Sequence, residues 1–161
     1  MNSLFKCTLG IVKGPTIARG QLGPILTDVA QRGFTLYDVR RIDFTPETLR
    51  EFYAEHVGRP YWHNIEKVMM MSCGCVVFIA HTHPLTLSDG TETGIRLDAP
   101  SQLRGALGES SNPAECSPNT IRGKWAGIHF GADPSIYADN ALHASDSTLS
   151  YIRESKILSR L

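Results

Sequence analysis

The chain has 161 residues, with 16 Lys and Arg against 16 Asp and Glu, and a formal net charge of zero. That length suits one domain with a real core. The balanced charge argues against bulk electrostatic binding to nucleic acid or membrane, although local cation clusters can still hold phosphates. No apolar run approaches the roughly 18 residues of a membrane span, and residues 1–12 are too short and carry Lys6, unlike a secretory h-region. Cys7, Cys73, Cys75 and Cys116 are not spaced as a disulfide framework, which predicts reduced thiols and a cytoplasmic protein.

Phe5, Cys7, Leu9 and Ile11 alternate along Leu4 to Val12, which predicts a strand. A loop, Lys13-Gly14-Pro15-Thr16, follows. Leu22, Ile25, Leu26 and Val29 then recur at helical spacing, and Gly33 marks the C-terminal cap. Phe34 to Ile42 reads as a second strand. Thr45-Pro46-Glu47 supplies a hydroxyl cap, a proline and an acid for a helix whose apolar face carries Leu49, Phe52 and Tyr53. Arg59-Pro60 breaks that helix, and another is expected from Tyr61 to about Met71. Cys75 to Ala80 is a continuous apolar run, as in a buried strand. Trp125 to Phe130 alternates and is the fourth strand expected. Ser147 to Ile157 reads as a last helix with Leu149, Ile152 and Ile157 inward.

This order predicts a single-domain α/β sandwich over residues 1–161, with a four-stranded, mostly antiparallel sheet and helices on one face. Thr82 to Ala99, with the turn signal Asp89-Gly90, and Gly131 to Asp139 look like surface excursions.

The segment Asn140 to Ser147 places His143 just ahead of a Ser/Asp/Ser cluster suited to a helix start, and Glu154 lies eleven residues further on. A nucleophilic imidazole must be held in one tautomer, which a carboxylate can do. Helix-start donors suit an anionic substrate. Lys13, Arg104 and Arg122 sit near the ends of core elements and can converge on a polyphosphate. Tyr61 and Trp62 open a helix, so one of them can offer a face to a flat base.

Five blocks in order resemble the nucleoside diphosphate kinase family. They are Ile11-Val12-Lys13 with Arg19 to Leu26, Phe52 to His56 with Arg59-Pro60-Tyr61-Trp62, Leu107 to Ala114, Thr120-Ile121-Arg122-Gly123, and Asn140 to Ser147 with Glu154. Together they span roughly residues 4 to 157. The resemblance implies a ferredoxin-like βαββαβ fold and a ping-pong transfer through a phosphohistidine on His143. It implies that Lys13, Arg104 and Arg122 hold phosphates, and that Lys13 and Asn140 meet the ribose hydroxyls. Tyr61 takes the base-stacking position, Ile65 lines its other side, and Tyr53 points toward His143. Glu154 orients the imidazole, with Ser145 on that carboxylate. The phosphate-binding threonine maps to Ser110 or Ser111. Mg²⁺ is held mainly by the phosphates, with Asp146 in water-mediated contact. ATP and other nucleoside tri- and diphosphates are the implied partners, and a homo-oligomer, hexamer or dimer, is expected. No Asn or Gln near Tyr61 stands out as a base reader. Stacking without base-edge contacts therefore implies tolerance of many bases.

The chain departs from the family at Gly14-Pro15-Thr16, where Pro-Asp-Gly is usual. It also departs at Ala144, where a glycine follows the histidine, and between Leu107 and Pro113, which carries one extra residue. Two other readings stand beside the kinase. One is a non-catalytic scaffold of the same fold. The other is a zinc site from Cys73, Cys75, His81 and His83, whose residue types fit but whose spacing does not.

Overall fold

The computed structural model describes residues 6–82, 89–90, 98–127 and 139–161. Four strands are formed by Cys7–Val12 (β1), Phe34–Ile42 (β2), Cys75–Thr82 (β3) and Leu142–Ala144 (β4). Their order is β2-β3-β1-β4, and every neighbouring pair is antiparallel. The helices are Gly14–Ala18 (α1), Leu22–Gln31 (α2), Pro46–Phe52 (α3), Trp62–Met69 (α4), Ala99–Leu107 (α5), Ile121–Trp125 (α6) and Thr148–Leu158 (α7). Single 3₁₀ turns cover Ala54–His56 and Pro113–Glu115.

Helices cover both faces of the sheet, not one. Leu9, Ile11, Cys75 and Val77 pack with Leu49, Phe52, Val68, Met69, Ile157 and Leu158 from α3, α4 and α7. Val12, Val76, Phe78 and Ala80 pack with Ile25, Val29, Leu103, Leu107 and Ile121 from α2, α5 and α6. The continuous apolar run of β3 has this cause, because a strand buried on both faces needs no polar alternation. Close packing fixes one glycine: a Cβ on Gly10 of β1 would fall 2.2 Å from the ring of Phe78.

Among the described residues the fourth strand is β4, and Trp125, where the sequence suggested a strand to begin, belongs to α6. Thr120 caps α6 by accepting from Gly123 N at 3.2 Å, and Trp125 ends that helix. The Trp125 indole donates to the buried Asp28 carboxylate at 2.6 Å, which ties α6 to α2. Residues 128–130 lie outside the described part. So do most of the two expected excursions and both arms of the expected hairpin around Asp89-Gly90. Lys13 to Thr16 is not a loop: α1 begins at Gly14, with Pro15 in the first turn, where its missing N–H costs nothing. Helix α4 is shorter at both ends than expected, with Tyr61 as its N-cap.

In α7 the phase differs from the expected one. Leu149 is 79% exposed and Ile152 44%, whereas Glu154, Ile157 and Leu158 are buried. The helix turns a carboxylate inward at the cost of two apolar side chains turned outward. Its start does match the sequence, because the Ser147 hydroxyl accepts from Ser150 N at 3.1 Å.

Candidate active site

A cleft of about 590 Å³ lies beside β4, with His143, Glu154, Lys13 and Arg122 among its walls. Alternation in β4 sends Leu142 and Ala144 into one core and His143 to the opposite face. There the imidazole meets Phe52 and Tyr53 edge-on, with ring centroids 5.2 and 5.6 Å away. His143 Nε2 lies 3.2 Å from Glu154 Oε2, and the Ser145 hydroxyl donates to that same oxygen at 2.6 Å. A carboxylate on Nε2 favours the tautomer with the proton there. The lone pair is then on Nδ1, which has no hydrogen-bond partner among the described residues. Burial pushes the Glu154 carboxyl up, but the His143 bond and charge, the Ser145 hydroxyl and Arg153 outweigh it. The net position is below the usual carboxylate range.

The backbone just before His143 is strained. Ala141 has φ 67°, and Leu142 N donates to Asn140 O at 2.9 Å across a three-residue turn. Lys13 N donates to the Ala141 carbonyl at 3.0 Å, which locks the turn to the end of β1. Ala144 is fully buried and avoids the left-handed region, so its methyl group fits where the family has glycine.

Lys13 is buried, and its ammonium donates to Asn140 Oδ1 at 2.7 Å. Burial pushes this ammonium down to about 7, aided by the Arg122 guanidinium and opposed by Asp139. Asp139 is held by Arg19 at 2.8 Å. Asn140 Nδ2 donates to Ser111 O at 3.0 Å, so one carboxamide joins the Lys13 and Ser111 segments. Arg122 is also buried, and its guanidinium donates to Ser110 O at 2.8 Å while Nε has no partner among the described residues. Burial, with repulsion from Arg104, lowers Arg122 to about 10, so it stays charged at neutral pH. Gly123 beside it is obligatory, since a Cβ there would fall 2.2 Å from the Ser117 carbonyl.

Ser110 and Ser111 separate. The Ser110 hydroxyl donates to Glu115 at 2.7 Å, and it is Ser111 that lines the cleft. Arg104 reaches Asp146 at 3.1 Å across the cleft. Tyr53 donates weakly to the Met69 sulfur at 3.9 Å, and burial raises its phenol well above the usual range. Tyr61 and Ile65 form the far wall, with Tyr61 41% exposed.

Several wall residues were given no site role from the sequence, among them His56, Asn64, Ser150 and Arg153. His56 Nδ1 lies 3.1 Å from the Tyr61 hydroxyl, so it fastens the aromatic wall. Asn64 was detectable in principle, because a residue three after Tyr61 shares its helix face.

Asp146 is an exposed carboxylate on the cleft wall beside Arg104, and with no second carboxylate paired to it among the described residues, it fits a Mg²⁺ ion carried by substrate phosphates and contacted through water. The zinc reading fails. Cys75 and His81 lie six residues apart on β3, about 20 Å by strand geometry. No described group of three His, Cys, Asp or Glu could hold a metal ion, and His83 lies outside the described residues.

The model of the family described as nucleoside diphosphate kinase matches residues 6–160. A nucleoside diphosphate kinase of Aquifex aeolicus is 35% identical over 87% of this chain and 84% of its own length. One from Moorella thermoacetica is 31% identical over 91% of this chain and 88% of its own. A crystal form of the Aquifex enzyme superposes with a TM-score of 0.72 at 29% identity, covering 94% of this chain and 93% of that one. The fold of a Halobacterium salinarum nucleoside diphosphate kinase, solved in complex with CDP, also matches, with a TM-score of 0.68 at 22% identity over 94% of this chain and 86% of that one. With the four-stranded antiparallel sheet and its packed helices, these matches show that the chain belongs to the nucleoside diphosphate kinase family and is an enzyme of that kind.

Proposed function

We propose that the enzyme moves the γ-phosphoryl group of a nucleoside triphosphate to a nucleoside diphosphate in two steps through His143. The observation that carries this reading is the imidazole with Nε2 on a buried carboxylate and Nδ1 without a partner among the described residues, in a cleft whose walls carry Lys13, Arg104, Arg122 and Arg153. Nδ1 attacks the γ-phosphorus, the P–Nδ1 bond forms, and the bond from phosphorus to the β–γ bridging oxygen breaks. The diphosphate leaves with those electrons. The ring becomes positive, and Glu154 on Nε2–H offsets that charge. A β-phosphate oxygen of the second nucleotide then attacks phosphorus, the P–N bond breaks, and neutral His143 is restored. No proton needs to move at the nucleophile, so positioning and charge neutralisation do most of the work.

Lys13, Arg104 and Arg122 bind the phosphate oxygens, with the Ser111 segment beside them. Ser145 keeps Glu154 aimed at the ring. Tyr61, fastened by His56, stacks on the base opposite Ile65, and Lys13 with Asn140 takes the sugar hydroxyls. A bound Mg²⁺ would supply further neutralisation of the polyphosphate, near Asp146.

Incubation with γ-labelled ATP tests this reading. An acid-labile, alkali-stable phosphohistidine is expected, chased by GDP and missing in His143→Ala. Label that survives in His143→Ala would overturn the assignment, and a wild-type protein that takes up none would favour the scaffold reading.

A further inference from the structure

Asn64 is only 5% exposed and lines the cleft, yet its carboxamide hydrogen-bonds to nothing among the described residues. Neither of its amide atoms is shut off from the cleft, so solvent can meet them in the free protein, and a nucleotide that displaces that solvent must supply a partner or incur the cost of a bare buried amide. At the wall of a binding cleft, such a group points to a ligand that completes it.

Its place along α4 says which part of a nucleotide that is. Tyr61 caps the helix at its exposed end, and Asn64 follows three residues on, about 4.5 Å along the axis and on the same face. Four residues further, the Val68 carbonyl lies 3.2 Å from where a Cβ on Gly14 would be, and Gly14 directly follows Lys13. Helix α4 thus runs from the base platform toward the buried lysine, with Asn64 between them. A nucleotide whose base lies on Tyr61 and whose phosphates lie on Arg104 and Arg122 brings its sugar to this level.

We propose that Asn64 hydrogen-bonds a sugar hydroxyl of the bound nucleotide and so sets the preference for ribose over deoxyribose. The inference rests on the nucleotide-binding mode given above. A carboxamide both donates and accepts, and so does a hydroxyl, so either orientation of the amide can pair with it. A nucleotide that lacks the hydroxyl displaces solvent from the amide without replacing its hydrogen bonds, and discrimination follows from that penalty.

The test compares kcat/KM for ADP, 2′-deoxy-ADP, 3′-deoxy-ADP and CDP, with a common donor, in the wild type and in Asn64→Ala. Asn64→Leu, close in volume and unable to hydrogen-bond, is the second variant, and melting curves establish that each is folded. The ratio of ADP to one of the two deoxy forms should narrow by at least about fivefold in both variants, or ~1 kcal/mol. Which ratio moves identifies the 2′ or the 3′ hydroxyl. Folded variants that still form phosphoenzyme with both ratios unchanged overturn the proposal. A change confined to the ADP-to-CDP ratio also overturns it, since Asn64 would then read the base. Failure of the binding mode looks different: the wild type itself would form no phosphoenzyme.

Discussion

Replacing Glu154 by Gln isolates the role of the carboxylate from that of its shape. The side chain is nearly isosteric, stays buried, and can still accept from Ser145. What is lost is the negative charge 3.2 Å from His143 Nε2. A hydrogen bond to a charged group contributes about 1.5–3 kcal/mol, which corresponds to a rate loss of roughly 10- to 150-fold if it acts on the transition state. A second effect adds to the first. The Gln amide can donate to Nε2, which moves the ring proton to Nδ1 and blocks attack. Rapid-quench measurement of phosphoenzyme formation from labelled ATP should show at least a tenfold slower single turnover, with nucleotide affinity changed by less than about threefold. Phosphorylation at more than a third of the wild-type rate would show that Glu154 is a packing residue. The variant should also respond differently to acid. The folded Glu154 carboxyl lies below its unfolded value, so the stability it contributes is present above about pH 4.3 and is lost as pH falls through the folded pKa. Glu154→Gln should lack that part of the acid transition.

Lys13 titrates near 7 in the free protein, and phosphate binding favours its ammonium form, so nucleoside diphosphate affinity should fall as pH rises from 7 to 9. Calorimetry at pH 8 in two buffers of different ionisation enthalpy should show proton uptake, and identical heats would refute it. In the folded state this pKa lies below the unfolded value of about 10.4, so between the two the unfolded chain holds the extra proton. This group's contribution to stability therefore rises with pH across that window. Ala144→Gly restores the family residue but removes a buried methyl, about 0.8 kcal/mol, and loosens a strand, about 0.5–1 kcal/mol. A melting temperature lower by roughly 3–7 °C with turnover unchanged is expected; a tenfold gain in turnover would show that the methyl distorts His143. Gly123→Ala forces α6 away from the Ser117 carbonyl and so displaces Arg122. KM for ADP should rise by about tenfold or more in a folded variant, the scale of one lost phosphate contact; an unchanged KM would show that Arg122 does not depend on that close approach.

Much of this was legible locally. Thr45, Pro46 and Glu47 sit at the start of α3 as their chemistry requires, and the Thr45 hydroxyl accepts from Thr48 N at 3.2 Å. Ser147 starts α7, the alternation of β1 and the unbroken apolar run of β3 appear as strands, and the segment around His143 lies on the cleft. Each of these signals is complete within about ten residues, because caps, turns and side-chain periods are set by neighbours along the chain.

The site needed the tertiary structure. A three-residue strand has no periodicity to read, and β4 exists only because Gly10, Ile11 and Val12 pair with it. Trp125, read from its alternating pattern as the start of a strand, instead ends a helix, and its indole finds Asp28, 97 residues away. Leu149 and Ile152 face outward because α7 is phased by Glu154, whose partners His143 and Ser145 lie on another element. The Lys13–Asn140 bond joins residues 127 apart, and its burial, not its composition, lowers the lysine. The sequence by itself determined which side chains were available and where helices and strands could begin. Which of them share a cleft, which nitrogen of His143 is engaged, and that Asn64 faces the cleft without a side-chain partner among the described residues were decided by packing, since contacts between distant residues carry no local pattern.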